Sequence, residues 1–158
     1  YVFNPKYSSY FRSPDEEKLK KYYQSDKINE KDYDEIIKLA EHSISIFPFD
    51  LRQMNFLAYI YYLKGDEISA KNISNRFHKI IEAIMSSGNG EKCETGFHVI
   101  SVSHEYVLLN LFELQNNSQS LVGNCDYMAF EKGKYKIDGM YFSIEKILEN
   151  EMKLFDRK

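Results

Sequence analysis

The stretch from Pro48 to Ala70 constrains this chain more than any other. Asp50 is placed to cap a helix over Leu51–Lys64, Gly65 to end it, and Asp66 to cap the next after a minimal turn. Within that span Met54 and Leu57 are large, Ala58 is small, Tyr61 is aromatic, and Ala70 follows Gly65 on the next helix. Small residues let two helices approach closely, so the spacing predicts an antiparallel pair with Ala58 and Ala70 near the crossing. Pro48 closes the helix before the pair, because proline cannot donate the next helical hydrogen bond and restricts Phe47 ahead of it.

The preceding helix opens near Asn29, and Tyr33, Ile36, Ile37, Ala40, Ile44 and Phe47 form one continuous stripe along it. Ahead of it, Ser13-Pro14-Asp15-Glu16 predicts a first helix running to about Gln24, with Ser13 as N-cap and Glu16 closing a capping box. Tyr1 to Arg12 reads as an extended, aromatic lead-in. The Leu51–Lys64 helix is apolar on nearly every side and is therefore expected to be enclosed by its neighbours. The helix after Asp66 carries Ala70, Ile73, Phe77, Ile80, Ile81 and Ile84 on one face and stops at Ser86-Ser87-Gly88-Asn89-Gly90.

Met54, Leu57, Ala58, Tyr61, Gly65 and Ala70, with Pro48 ahead of them, resemble the tetratricopeptide pattern. Ala58 stands where the usual glycine would, and no proline closes the second unit after Phe77. The resemblance covers Tyr33 to Met85, about one and a half repeats. Such stacks commonly offer a concave surface to a peptide or protein. Tyr22, Tyr23, Tyr59 and Tyr62 are the candidate binding residues, because aromatic anchors dominate surfaces of that kind.

After Gly90 the period changes. Thr95 to Val102 is β-rich, a helix capped by Ser103 is expected over His104–Leu114, and Ser118 to Phe130 reads as a second strand. Glu131-Lys132-Gly133-Lys134 is a turn, and Tyr135 to Ser143 a third strand with Gly139 as a possible bulge. The charged tail from Ile144 starts as a helix. The fold class is α+β: a tetratricopeptide-like helical part over 1–90, then a small antiparallel β-sheet part over 91–158 packed on the helices.

Thirteen Tyr and 11 Phe with no Trp make the chain aromatic-rich, which suits both a core and a binding surface. The net charge is −3 with the signs interspersed. Lys18, Lys20 and Lys21 form the one basic cluster, and Asp15, Glu16 and Glu17 precede it as solvated helix decoration. A nucleic-acid partner would need a basic face that this pattern lacks. No apolar run is long enough to span a membrane, and no signal sequence is visible. The chain opens at Tyr1, which reads as a piece with sequence before it.

His98, His104, Glu105, Cys93, Cys125 and Asp126 are the residues dense enough to suggest chemistry. Their spacing matches no zinc pattern, so neither a metal nor a cofactor is expected. His98 reads as a residue packed in the sheet, and Glu105 as an acid favoured by a helix start. Cys93 and Cys125 form one disulfide if the protein is exported, and two free thiols otherwise. Gly88-Asn89-Gly90 lacks the spacing of a phosphate loop, and the Asn72 and Asn116 triplets are glycosylation-like.

A second resemblance rests on Tyr1-Val2-Phe3-Asn4-Pro5, Ser87-Gly88-Asn89-Gly90 and the run from Thr95 to Tyr106. It continues through Gln119-Ser120-Leu121-Val122, Cys125-Asp126-Tyr127 and Tyr141-Phe142. These segments resemble a bacterial family, many of its members from gut commensals, known as a domain of unknown function. That resemblance implies a tetratricopeptide-like part followed by a β part, often in exported proteins, and no assigned activity. The functional expectation is a non-enzymatic scaffold for a protein or peptide partner. The alternative is a small enzyme or ligand-binding protein with a pocket around His98, His104 and Glu105 at the helix–sheet junction.

Overall fold

The computed structural model describes Val2, Asn4, Tyr7 and residues 13–155, with side chains through Lys153. The lead-in expected over Tyr1 to Arg12 otherwise lies outside the described residues. The chain is α+β and divides into two compact units, Phe11–Ile80 and Tyr1–Tyr10 with Ile81–Lys158. The division falls earlier than the Gly88–Gly90 loop named by the sequence. That loop is tied to the strands instead: Asn89 and Gly90 donate to the Thr95 carbonyl at 2.8 and 2.9 Å, and Tyr141 donates to the Gly90 carbonyl at 2.9 Å.

The helical unit contains α1 (Glu16–Tyr23), α2 (Tyr33–Ile46) and α3 (Leu51–Lys64), and α4 (Glu67–Met85) begins in it. The α1 start differs from expectation. Asp15 is its N-cap without a side-chain cap bond, and Ser13 Oγ accepts from Asp15 N at 3.2 Å. Asn29 opens a 3-10 turn, Glu30–Asp32, from which α2 continues. Tyr33, Ile36, Ala40, Ile44 and Phe47 of the sequence stripe are all buried, and α2 packs closely along α3. Each fully enclosed Ile or Leu contributes about 1.5–3 kcal/mol. Ala58 and Ala70 are only half-buried, whereas Ala40 is wholly enclosed.

Asp50 caps α3 as expected: its carboxylate accepts from Gln53 N at 3.1 Å and from Ser43 Oγ at 3.1 Å. Gly65 ends α3 in the left-handed conformation, and Asp66 caps α4 by accepting from Ser69 N at 3.0 Å. A helix stop and a helix start thus share two residues.

In the C-terminal unit the described strands form one mixed sheet in the order β1 (Phe97–His98), β4 (Gly139–Ser143), β3 (Cys125–Phe130), β2 (Asn116–Val122). The expected sheet was wholly antiparallel, but β1 runs parallel to β4. The β-rich stretch from Thr95 yields only two strand residues, because Ser101 rather than Ser103 caps the next helix, α5 (Val102–Leu111). Ser101 Oγ accepts from Ser103 N at 3.3 Å.

The single strand expected over Ser118–Phe130 is a hairpin, β2 and β3, turning at Gly123-Asn124. Gly123 sits at φ 62°, a left-handed conformation that such a two-residue turn demands. The irregularity expected at Gly139 lies instead between Asn116 and Ser118. Gly139 pairs regularly with Ala129, and its lack of a side chain makes room for the Tyr127 ring, which a Cβ would meet at 2.4 Å. Met128, Phe142, Leu108 and Ile147 are wholly or almost wholly enclosed here, and α6 (Glu145–Phe155) closes the chain.

Candidate functional site

Helix α3 puts Met54, Leu57 and Ile60 inward and Tyr59, Tyr62 and Leu63 outward. The outward three stand at i, i+3 and i+4, which is one face of a helix. Tyr59 is 51% exposed and Tyr62 66%, and Ile68 at the start of α4 is 77% exposed. The expectation that α3 is enclosed on all sides is therefore corrected. Its apolar residues outnumber the positions that α2 and the core can cover, and the surplus faces water.

Polar pairs involving the same helix surround this face. Tyr61 donates its hydroxyl to Glu41 Oε1 at 2.6 Å, and Lys64 meets Asp34 at 2.5 Å. Partial burial and the Glu41 carboxylate push the Tyr61 phenol above its ordinary range. Exposed pairs of this type add little stability but fix side-chain positions.

The other two tyrosine candidates lie elsewhere. Tyr22 belongs to the core with Leu19, Tyr33, Ile36 and Ile60, and its hydroxyl donates to Glu35 Oε2 at 3.1 Å. Tyr23 packs edge-on against Phe56, ring centroids 4.7 Å apart, and burial pushes its phenol upward. Sequence spacing alone does not separate these from Tyr59 and Tyr62, because a helix apolar on nearly every side does not show which of its faces the neighbours cover.

In the C-terminal unit, His98 is exposed on β1 whereas His104 and Glu105 are buried on α5. The residues that gather around Glu105 include two that the sequence candidates omit. Gln119 on β2 donates from Nε2 to Asp126 Oδ2 at 2.8 Å and approaches Glu105 Oε2 at 3.4 Å. Its Oε1 accepts from the Tyr106 hydroxyl at 2.8 Å, which fixes the orientation of the amide. Burial first, then the Asp126 charge and a hydrogen bond to Asp126, push the Glu105 carboxyl up to about 9. Burial and the facing Asp126 thus disfavour the charged form of Glu105, which the sequence reads as an acid favoured by a helix start. No local signal marks Gln119 in the sequence, since Ser118–Val122 does not alternate.

Cys93 and Cys125 are joined by a disulfide with Cα atoms 5.6 Å apart. It links the segment before β1 to the start of β3, beside Asp126. Among the described residues no three His, Cys, Asp or Glu side chains converge as metal ligands would. Among them, too, no helix is long and apolar enough to cross a membrane.

Residues 1–153 match the family model described as "Domain of unknown function (DUF4919)", and the chain belongs to that family. No curated protein and no solved structure matches it.

Proposed function

We propose that this chain is a binding module whose α3–α4 corner holds a protein or peptide partner, and that it works without catalysis. The observation that carries this reading is the exposure of Tyr59 and Tyr62 beside Leu63 and Ile68. Four large apolar side chains left in water at one helical corner lose free energy unless a partner covers them. Tyrosine suits such a task, since its ring supplies contact area with few rotatable bonds and its hydroxyl tolerates water. The packing of α2 along α3 and the Gly65 turn support a tetratricopeptide-like arrangement, in which exposed helix faces serve as docking surfaces. The Cys93–Cys125 bridge supports an exported setting, where disulfides persist.

The rival reading, an enzyme or small-ligand protein built on His98, His104 and Glu105, draws less support. His98 lies at the surface while the other two are enclosed, so the three present no common face to a substrate.

The test is affinity isolation from the native organism with wild-type protein and with the Tyr59→Ala/Tyr62→Ala double variant. A protein retained by the wild type should bind the variant at least about tenfold more weakly, because hot-spot tyrosines contribute 2 kcal/mol or more each. Equal retention by both proteins would remove the corner as the docking surface.

A further inference from the structure

Three elements of the C-terminal unit meet where two buried carboxyls lie beneath an exposed amide, that of Gln119. Glu105 of α5 is 0% exposed, Asp126 of β3 is buried, and Gln119 of β2 joins them through one amide nitrogen. Glu105 Oε1 is buried and meets no donor. A buried carboxylate oxygen without a donor is costly, and two carboxylates around one amide compete for its two hydrogens. A proton on Glu105 removes both problems at once. It turns that carboxyl into the donor of a hydrogen bond to Asp126 and leaves a single negative charge for Gln119 to serve.

We propose that Glu105 and Asp126 hold one proton between them and act as a proton-dependent latch fastening α5 to strands β2 and β3. This inference is independent of the partner-binding reading, since it concerns the other unit.

Asp126 is the charged group acting on Glu105. Gln119 meets it as a neutral amide, Tyr106 reaches it only through that amide, and His104 is its buried neighbour on α5. The sign follows from linkage. Glu105 titrates in the unfolded chain near its ordinary 4.5 and in the folded chain near 9. Between those values the folded state holds the proton and the unfolded state does not. The latch is thus fully closed below the lower value and is lost progressively as pH rises through the upper one. Above it, two negative charges face one amide, and the grip of Gln119 on α5 and β3 loosens. A domain of this type tightens in mild acid and relaxes in alkali.

Thermal unfolding of the non-reduced full chain between pH 5.5 and 9.5 tests this, with wild type, Glu105→Gln and Asp126→Asn compared. The wild-type midpoint should fall by roughly 5 °C or more across the range. Glu105→Gln keeps the shape and a donor but cannot ionise, so it should lose most of that slope and melt above wild type at pH 9. Asp126→Asn removes the charge facing Glu105, so its slope should shift to lower pH. If either variant fails to fold, wild-type infrared spectra decide. A protonated-carboxyl carbonyl band should persist at pH 7 and vanish above about pH 9, the range to which burial can raise a Glu. A wild-type slope that Glu105→Gln retains in full, or no such band at pH 7, would overturn the latch.

Discussion

In the helical unit Leu19, Ile36, Ala40, Leu51, Met54, Leu57 and Ile60 are enclosed together with Ser43 and Gln53, and Asp50 is spent on a helix end. In the C-terminal unit, Met128, Phe142 and Leu108 share the interior with Glu105, His104, Ser101 and Asp126, and a disulfide ties two loops together. The first unit is held by apolar area and helix capping, with no disulfide. The second depends on a covalent bond and a proton, both set by its surroundings. Both units keep large apolar side chains at the surface, Tyr59, Tyr62 and Ile68 in the first and Leu121, Ile137 and Met152 in the second.

The largest expected effect separates the units by redox. The Cys93–Cys125 bridge closes a loop of sequence separation 32, and such a bridge contributes roughly 3.5 kcal/mol through the unfolded state. Replacing both cysteines by Ser should lower the unfolding free energy by about that amount. Near-ultraviolet signal from Tyr127 and Tyr141 should disappear before the helical far-ultraviolet signal does. Simultaneous loss of both signals at the original midpoint would break the comparison.

Next in size is the apolar core of the helical unit. Leu57→Ala should cost about 3 kcal/mol, within the range for a fully enclosed leucine, and the loss should be the same at pH 6 and pH 9. A pH-dependent loss would mean that this unit, too, is conditioned by a proton.

The cap is a smaller handle. Asp50→Ala removes the acceptor for Gln53 N and for Ser43 Oγ, and should cost about 1–2 kcal/mol in urea unfolding. Tyr62→Ala should change stability by less than about 0.5 kcal/mol, because the ring faces water, while weakening partner binding. A large stability loss at Tyr62 would show that its ring is structural and would remove it from the docking surface.

The helical half was legible because its signals are local. Asp50, Gly65 and Asp66 set the limits of α3 and the start of α4, and the stripe from Tyr33 to Phe47 is buried as a single face. The exposure of Tyr59 and Tyr62 was less legible, since composition does not show how many neighbours a helix has. The C-terminal half was harder. Gly123-Asn124 is a two-residue hairpin turn that splits one apparent strand, yet the flanking Ser118–Val122 lacks the alternation that marks a half-buried strand. Strand β1 is set by its pairing with Phe142 and Ser143, far along the chain, and no local pattern announces a parallel neighbour. The Glu105–Gln119–Asp126 group joins residues from three elements, so only the register of the sheet reveals it.

The most direct measurement compares one surface position from each unit. A photo-crosslinking residue is placed at Tyr62 on the helical corner, or at His98, which is also exposed on β1 of the C-terminal unit. After irradiation in the native organism, position 62 should capture a discrete protein species, reduced when Tyr59→Ala is added. Position 98 should not capture it. Capture of the same species from position 98 with none from position 62 would contradict the assignment of docking to the helical unit.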